Sequence, residues 1–411
     1  MGYAVEFFKR HMEYTFRKIN SEYAAILITG QRQTGKTTML QNIAIEEGKN
    51  REYVCLDNVG DRSLAQNDPE MFFKIHKPPV LIDEVQYAPQ LFSYIKIQVD
   101  TYHRPGDFWL TGSQLYRLMR GVEESLSGRI ALLRLLPFSQ AELCGAKSAP
   151  FLPDIEILNE KQNSIPIMKD TANDIFKLIY KGSMPALASG QYSNREVYYS
   201  SYINTYLLRD VIELAGAVDS LKFYNFLTAT AARTAQLINC YSIAEESGID
   251  QSTAKKWLNI LETLGIIFYL HPYSNNTLKR TIKKPKLYFY DTGLPCYLTK
   301  WSSPDTIQNG ASGGAFLENF VVSEIAKGYH NAGLEPYLYY YRNRDDKEID
   351  IIIERDGLLY PLEVKKTNAP HPTLSRVFKV LPNRGLGAII CLADRLGALD
   401  RDTLVVPARL V

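Results

Sequence analysis

The chain has little that would let it work through cysteine chemistry, a membrane or a global charge field. Its five cysteines, Cys55, Cys144, Cys240, Cys296 and Cys391, stand singly, with no C-x-x-C pair and no Cys/His ligand spacing. That argues against a zinc site or a disulfide framework and fits a reducing compartment, so the expected location is cytoplasmic. No apolar run approaches a membrane span, so no membrane partner is expected. The amino terminus, MGYAVEFFKRHMEYTFRKI, carries charges every few residues, unlike a secretory leader. The formal net charge over 411 residues is only +2, so any nucleic-acid contact has to come from a local patch. Low-complexity tracts are lacking too. What is present is 45% hydrophobic, 22% charged and rich in tyrosine, the composition of a globular α/β chain too long for one core.

The first third reads as a nucleotide site. In YAAILITGQRQTGKTTMLQNIA an apolar strand, Ile26–Thr29, runs into a Gly-rich loop and then a helix over Thr38–Ala44. Gly30, Gly35, Lys36 and Thr37 give G-x-x-x-x-G-K-T in the strand–loop–helix context that a phosphate cradle requires. The backbone of Gly30, Gln31, Arg32, Gln33, Thr34 and Gly35 would wrap the β-phosphate at the helix amino end, with Thr38 beside it. Lys36 would reach the β- and γ-phosphates, and the Thr37 hydroxyl would ligate Mg²⁺. A second strand end, PPVLIDEVQYAP, offers Asp83 to the Mg²⁺ shell and Glu84 to polarise the attacking water. A third, DFWLTGSQ, ends in Ser113 and Gln114; either is placed to sense the γ-phosphate, although Thr-Gly-Ser is also ordinary turn chemistry. Arg129, in SLSGRIALLRLLPFSQAEL, is either a surface residue or an arginine that reaches a neighbouring subunit's γ-phosphate.

GQRQTGKTT, LIDEVQ, LTGSQ, SLSGR and LPFSQAEL together resemble the AAA-type ATPases, specifically a large prokaryotic family that joins such a core to a nuclease-like carboxyl-terminal domain. The resemblance implies ATP with Mg²⁺, and Lys36, Thr37, Asp83, Glu84 and Arg129 as nucleotide residues. Arg129 acting across subunits implies a homo-oligomer. The expected fold is α/β: a P-loop parallel sheet over 1–145, a linker and helical lid over 146–220, a winged helix over 221–300, and a restriction-endonuclease-like α/β domain over 301–411.

Residues 146–170 are rich in Pro, Ser and Asn and read as a linker or mobile loop. The turn GSMP, Gly182–Pro185, resembles the part of the lid that closes over nucleotide. NCYSIAEESGIDQSTAKKWLNILETLGIIFYLHPY reads as helix–turn–helix, with Ser242 starting one helix and Ser252 capping the next. Gln251, Thr253, Lys255 and Lys256 would face a DNA groove, and Lys279, Arg280, Lys283, Lys284 and Lys286 would form a basic wing. The alternative is a rigid spacer whose partner is protein.

In the last third, GGAFLENFVVSEIAKGY reads as a long amphipathic helix with Glu318 on its flank. EIDIIIERDGLLYPLEVKK then alternates as a hairpin turning at Asp356-Gly357. Its core face is Ile349, Ile351 and Ile353 against Leu358, Tyr360, Leu362 and Val364; the polar face sets Asp350 opposite Glu363 and Glu348 opposite Lys365. Two carboxylates facing across a ladder, Cβ atoms roughly 5 Å apart, repel unless a cation lies between them. The order of helix, D, E-x-K and a later strand resembles the PD-(D/E)xK nucleases. That implies a metal held by Glu318, Asp350 and Glu363, with Lys365 orienting water on a phosphodiester. The leading expectation is an ATPase that engages DNA through its middle and carboxyl-terminal segments. The other is a nucleotide-controlled switch or scaffold whose nuclease-like domain does not cut.

Overall fold

The structure, a computed structural model, describes residues 8–48, 50–113, 126–147, 149–165, 171–274, 284–343 and 347–411. Gln114, Lys279, Arg280 and Lys283 lie outside the described residues. Among those described, no helix is long and apolar enough to cross a membrane.

The amino-terminal unit is a five-stranded, all-parallel sheet in the order β2-β3-β4-β1-β5, built from β1 (Ala25–Thr29), β2 (Glu52–Cys55), β3 (Val80–Asp83), β4 (Phe108–Thr111) and β5 (Ile130–Arg134). Helices cover both faces, so the central strands are apolar on both sides. Ala25 and Leu27 of β1 enter a core with Val80, Ile82 and Phe92, whereas Ile26 and Ile28 pack with Met39, Leu40 and Trp109. The carboxyl ends of β1, β4 and β3 therefore lie side by side, which is where an open parallel sheet presents its ligands.

The rest of the chain shares one nine-stranded sheet in the order β13-β14-β12-β11-β10-β9-β7-β8-β6. Its strands are β6 (Gln236–Leu237), β7 (Ile267–Pro272), β8 (Lys286–Phe289), β9 (Leu338–Arg342), β10 (Glu348–Arg355), β11 (Leu358–Lys365), β12 (Gly387–Cys391), β13 (Gly397–Asp400) and β14 (Thr403–Pro407). The antiparallel β7–β8 pair joins the carboxyl-terminal strands through a short parallel seam, His271↔Tyr339 and Pro272↔Tyr340.

Two helices, Cys240–Ser247 and Gln251–Thr263, precede that pair, with Gly248 in the left-handed region at the turn (φ 64°). The caps differ from the sequence expectation. Asn239, not Ser242, starts the first helix, and Asp250, not Ser252, caps the second by accepting from Thr253 N at 2.9 Å. A carboxylate in extended backbone reaches the third amide of the helix, and Ser252 sits inside the first turn. The segment expected as a linker contains a helix, Ile155–Ser164, capped by Asp154 and anchored by Leu158 in the carboxyl-terminal core.

The helix Gly313–Asn331 is not amphipathic as expected but buried nearly all round, because it lies between the large sheet and the amino-terminal unit. Two of its charged residues are paired there. Glu324 accepts from Gln140 N at 2.7 Å, and Lys327 Nζ donates to Phe138 O (3.0 Å) and Ser183 Oγ (3.2 Å). Fully buried charges are rare unless paired in this way.

Candidate functional site

β1 runs into Gly30, whose φ of 138° and crowding, with a Cβ placed only 2.1 Å from Leu135 O, leave room for glycine alone. Gly35, at φ 85°, opens the helix Lys36–Glu47. Between them Thr34 Oγ1 donates to Gln31 O (3.0 Å), and Thr34 O accepts from Arg10 Nη1 (2.7 Å). Arg10 is itself buried against Leu136 O and the Glu142 carboxylate, so LPFSQAEL braces the loop from behind. Lys36 Nζ donates to Gly30 O and Gln31 O, both at 3.0 Å. Burial lowers its ammonium pKa to about 8, partly opposed by Glu84 and Asp83.

Asp83, at the end of β3, accepts from Thr37 Oγ1 at 2.8 Å, from Tyr53 OH at 3.2 Å and from Thr111 Oγ1. A hydroxyl and a buried carboxylate side by side at the phosphate end of the loop are hard oxygen donors of the kind Mg²⁺ takes, so these residues fit the ion. Glu84 follows in the left-handed region (φ 55°, ψ 44°), a strained conformation for glutamate of the kind that concentrates at functional sites. Its carboxylate accepts from Gln86 Nε2 and, at 3.4 Å, from Ser113 Oγ. The structure thus brings Gly30, Gly35, Lys36, Thr37, Asp83, Glu84 and Ser113 together. Beside them, Phe8, Thr38, Met39, Phe138, Pro185 and Ala186 line a largely apolar cavity of about 280 Å³. Of the GSMP turn, Pro185 lines this cavity.

Arg129 is not part of this cluster. It immediately precedes β5, whose first residue, Ile130, is level with Ala25 at the amino end of β1; it is half-exposed and pairs with Asp100.

The three remaining loop side chains all turn toward the middle segment. Gln31 accepts from Tyr202 OH (3.3 Å) and Gln33 from Tyr198 OH (2.8 Å). Arg32 makes a bidentate pair with Asp210, its Nε 2.9 Å from Oδ2 and its Nη2 3.0 Å from Oδ1. This pairing outweighs burial and raises the guanidinium pKa. Tyr198, Tyr202 and Asp210 lie along Arg195–Ser201, a π-helical stretch Tyr202–Leu207, and the helix Leu208–Ala215. Single π turns inside α-helices are frequent at functional sites. The far end of this rod is held by Lys256 Nζ, which donates to Ala215 O (3.0 Å), so Lys256 caps a helix although it was expected to face a groove. Sequence reasoning missed Arg10, Tyr53, Thr111, Tyr198, Tyr202 and Asp210. The i, i+4 spacing of Tyr198, Tyr202 and Tyr206 was the signal available for the helical face.

A second cluster lies in the large sheet. The hairpin has the expected two-residue turn, with Asp356 (φ 53°) and Gly357 (φ 76°), and its pairing runs from Arg355 with Leu358 to Ile351 with Leu362, one residue short of Asp350 and Glu363. An irregularity in the β9–β10 pairing between Ile349 and Ile352 breaks the alternation. Ile349 therefore packs with Ile352, Leu359 and Ile389, away from the face of Ile351, Ile353, Leu362 and Val364. Glu348 does not meet Lys365. Its carboxylate lies 2.5 Å from Lys286 Nζ, and Lys286, expected on an exposed wing, is buried. That ammonium also lies 3.0 Å from Glu318 and 3.8 Å from Asp350. Tyr288 OH donates to Glu318 (2.6 Å), and Val364 N to Asp350 (2.9 Å). Lys365 Nζ lies 2.5 Å from Glu363 and 3.6 Å from Asp350. Burial, then the neighbouring Asp350 charge, raises the carboxyl pKa of both Glu318 and Glu363. Among the described residues, no three His, Cys, Asp or Glu side chains gather so as to hold an ion. The donor set at Glu318, Asp350 and Glu363 does not fit the expected metal while an ammonium stands among the carboxylates.

Compared with known proteins, residues 22–144 match the family described as "AAA domain". Residues 172–305 and 313–411 match two domains of unknown function, DUF8612 and DUF4143. An uncharacterized protein of Mycobacterium tuberculosis and one of Mycobacterium bovis are each 28% identical over 350 residues, covering 84% of this chain and 71% of theirs. Among solved structures, the Walker-type ATPase of Pyrococcus abyssi aligns with 71% of this chain and 96% of its own at 14% identity and a TM-score of 0.44. The Thermotoga maritima RuvB Holliday junction branch migration motor aligns with 62% and 88% at 15% identity and a TM-score of 0.31. The AAA match and the phosphate loop with its aligned acidic strand end agree: residues 22–144 are a P-loop domain of AAA type, and the chain is an ATPase.

Proposed function

We propose that the chain is a nucleotide-controlled switch, in which ATP turnover at the phosphate loop changes the grip of that loop on the middle segment. The observation that carries the reading is the set of three contacts from Gln31, Arg32 and Gln33 to Tyr202, Asp210 and Tyr198. Adenosine would lie in the cavity beside Phe138 and Met39, with its phosphates on the loop amides and Lys36. Mg²⁺ on Thr37 and Asp83 would neutralise charge developing on the phosphates. Glu84, oriented by Gln86 and Ser113, would hold the attacking water. Arg32 is the loop's second cation, and a γ-phosphate would compete with Asp210 for it. Exchange of one anion for the other would loosen the rod Arg195–Ala215 and, through the Ala215–Lys256 contact, the second helix of the helix–turn–helix pair. A triphosphate can shift this equilibrium only by its differential affinity for the two arrangements, and the Arg32 exchange supplies that difference. Arg129 would complete the site of a neighbouring copy.

DNA as the switched partner is favoured by two features. One is the winged-helix order of helices and strands, with Gln251 and Lys255 exposed. The other is a cleft of about 750 Å³ lined by Tyr273, Lys284, Tyr341 and Arg342, the mixture of aromatic and basic groups that single strands use.

The test is ATP turnover of the full chain with Lys36→Ala and Glu84→Gln, with and without DNA over a salt series. Lys36→Ala should abolish binding, and Glu84→Gln should keep binding and lose turnover. DNA stimulation that falls steeply with salt supports the DNA reading. Turnover indifferent to DNA leaves a protein-directed switch, and turnover unaffected by either substitution removes the assigned site.

A further inference from the structure

We infer that Lys286 is the resident cation of the acidic cluster, standing among Glu318, Glu348 and Asp350 where a divalent ion would stand, so that the carboxyl-terminal domain works without a metal. The inference rests on contact geometry. The Lys286 ammonium, buried at the start of β8, lies within ion-pair distance of all three carboxylates. Asp350 is claimed on both sides, Oδ1 by Lys286 and Oδ2 by Lys365 and the Val364 amide. An ion bridging Glu318 and Asp350 would sit against an ammonium of like sign, a repulsion that low-dielectric surroundings strengthen.

The backbone beneath the lysine is held as well. Three residues along, Phe289 exchanges two hydrogen bonds with Asn319, its amide donating to Oδ1 (2.7 Å) and its carbonyl accepting from Nδ2 (3.0 Å). Between them Tyr288 OH donates to the same Glu318 oxygen that faces Lys286. The strand that carries the ammonium is thus fastened to the helix that carries Glu318. One acceptor in the cluster remains without a hydrogen-bond partner, Glu363 Oε2, on a residue only 8% exposed. Removing the Lys286 ammonium would leave the Glu318, Glu348 and Asp350 carboxylates short of a cation, with only Lys365 left beside Asp350 and Glu363. That is the composition of a hard-metal site.

The experiment is Mn²⁺ binding by electron paramagnetic resonance on the nucleotide-free full chain, comparing wild type, Asp350→Asn, Lys286→Met, and Lys286→Met with Asp350→Asn. The expected result is that wild type and Asp350→Asn bind alike. Lys286→Met should gain one site, at least about tenfold tighter than anything in wild type, and lose it when Asp350→Asn is added. Thermal melts check that each variant folds. Should Lys286→Met not fold, the comparison of wild type with Asp350→Asn still decides. A wild-type Mn²⁺ site that depends on Asp350 overturns the inference, as does a folded Lys286→Met that gains no site. A failure of the switch reading would show instead as DNA- and nucleotide-independent behaviour of the amino-terminal unit, with Mn²⁺ binding unchanged.

Discussion

Replacing Asp210 is the sharpest way to ask whether the phosphate loop and the middle segment are coupled. The Asp210 side chain is 6% exposed and that of Arg32 14%, and the pair is bidentate with its closest approach at 2.9 Å. Deleting one partner of a buried, hydrogen-bonded ion pair costs about 3–5 kcal/mol, because the other charge is stranded. Asp210→Asn keeps an oxygen for Arg32 and removes only the charge, so the expected cost is about 1.5–3 kcal/mol, read as a nucleotide-free melting transition lowered by several degrees. Nucleotide binding should move the opposite way. With no carboxylate to displace, a non-hydrolysable ATP analogue should bind tighter by a factor within the roughly 5- to 150-fold range of typical coupling, and ADP should gain less. Fluorescent-nucleotide titration beside differential scanning fluorimetry measures both quantities on one preparation. The charge swap Arg32→Asp with Asp210→Arg adds a control: it should recover melting temperature without recovering preference for the triphosphate. If Asp210→Asn folds and binds the analogue more weakly than wild type, or discriminates ATP from ADP as before, Asp210 is only a brace.

Other outcomes follow from the same geometry. Gly30→Ala should abolish nucleotide binding and lower stability by at least about 1 kcal/mol, since alanine is strained at φ 138° and its Cβ meets Leu135 O; calorimetry and an ATP titration check both. Because the Lys36 ammonium has a pKa lowered to about 8, phosphate affinity should fall about tenfold per pH unit above that value. Nucleotide-free stability should rise over the same window, up to the ordinary value of 10.5, because there the unfolded chain binds the extra proton. His330 is buried beside Tyr290 with its pKa lowered to about 3, chiefly by burial and further by Arg134. The unfolded chain takes up that proton first, so stability should fall by about 1.4 kcal/mol per pH unit as pH drops below 6.5, and His330→Phe should flatten that slope in acid denaturation.

The nucleotide loop was legible because its chemistry is local. Strand, glycines, lysine and hydroxyl follow one another within a dozen residues, and burial of β1 on both faces makes the run continuously apolar. The turn at Asp356-Gly357 and the pairing from Arg355 with Leu358 to Ile351 with Leu362 were legible for the same reason. What could not be read was contact between distant segments. Arg32 appears in the sequence as one more loop residue, and nothing near it indicates that its partner is Asp210. Lys286 sits in a basic stretch whose charges suggest a solvated wing. Lys286 meets Glu318 through the β7–β9 seam, set by two residue pairs with no pattern of their own, and through the Phe289–Asn319 bonds between β8 and the helix. Period-two reasoning failed at Ile349 because an irregularity against β9, a strand with its own register, reverses which face the residue takes.

The seam has a practical consequence for how the molecule can be cut. The matched segments end and begin at residues 305 and 313, which invites expression of the carboxyl-terminal part alone. Such a fragment would lose β7 and leave Tyr339 and Tyr340 on an open strand edge able to recruit another chain. It would also lose Lys286 and Tyr288, leaving Glu318 without either of its partners. A truncated domain that aggregated, or that took up metal avidly, would be reporting on the cut. Experiments on the carboxyl-terminal half belong in chains that keep β8.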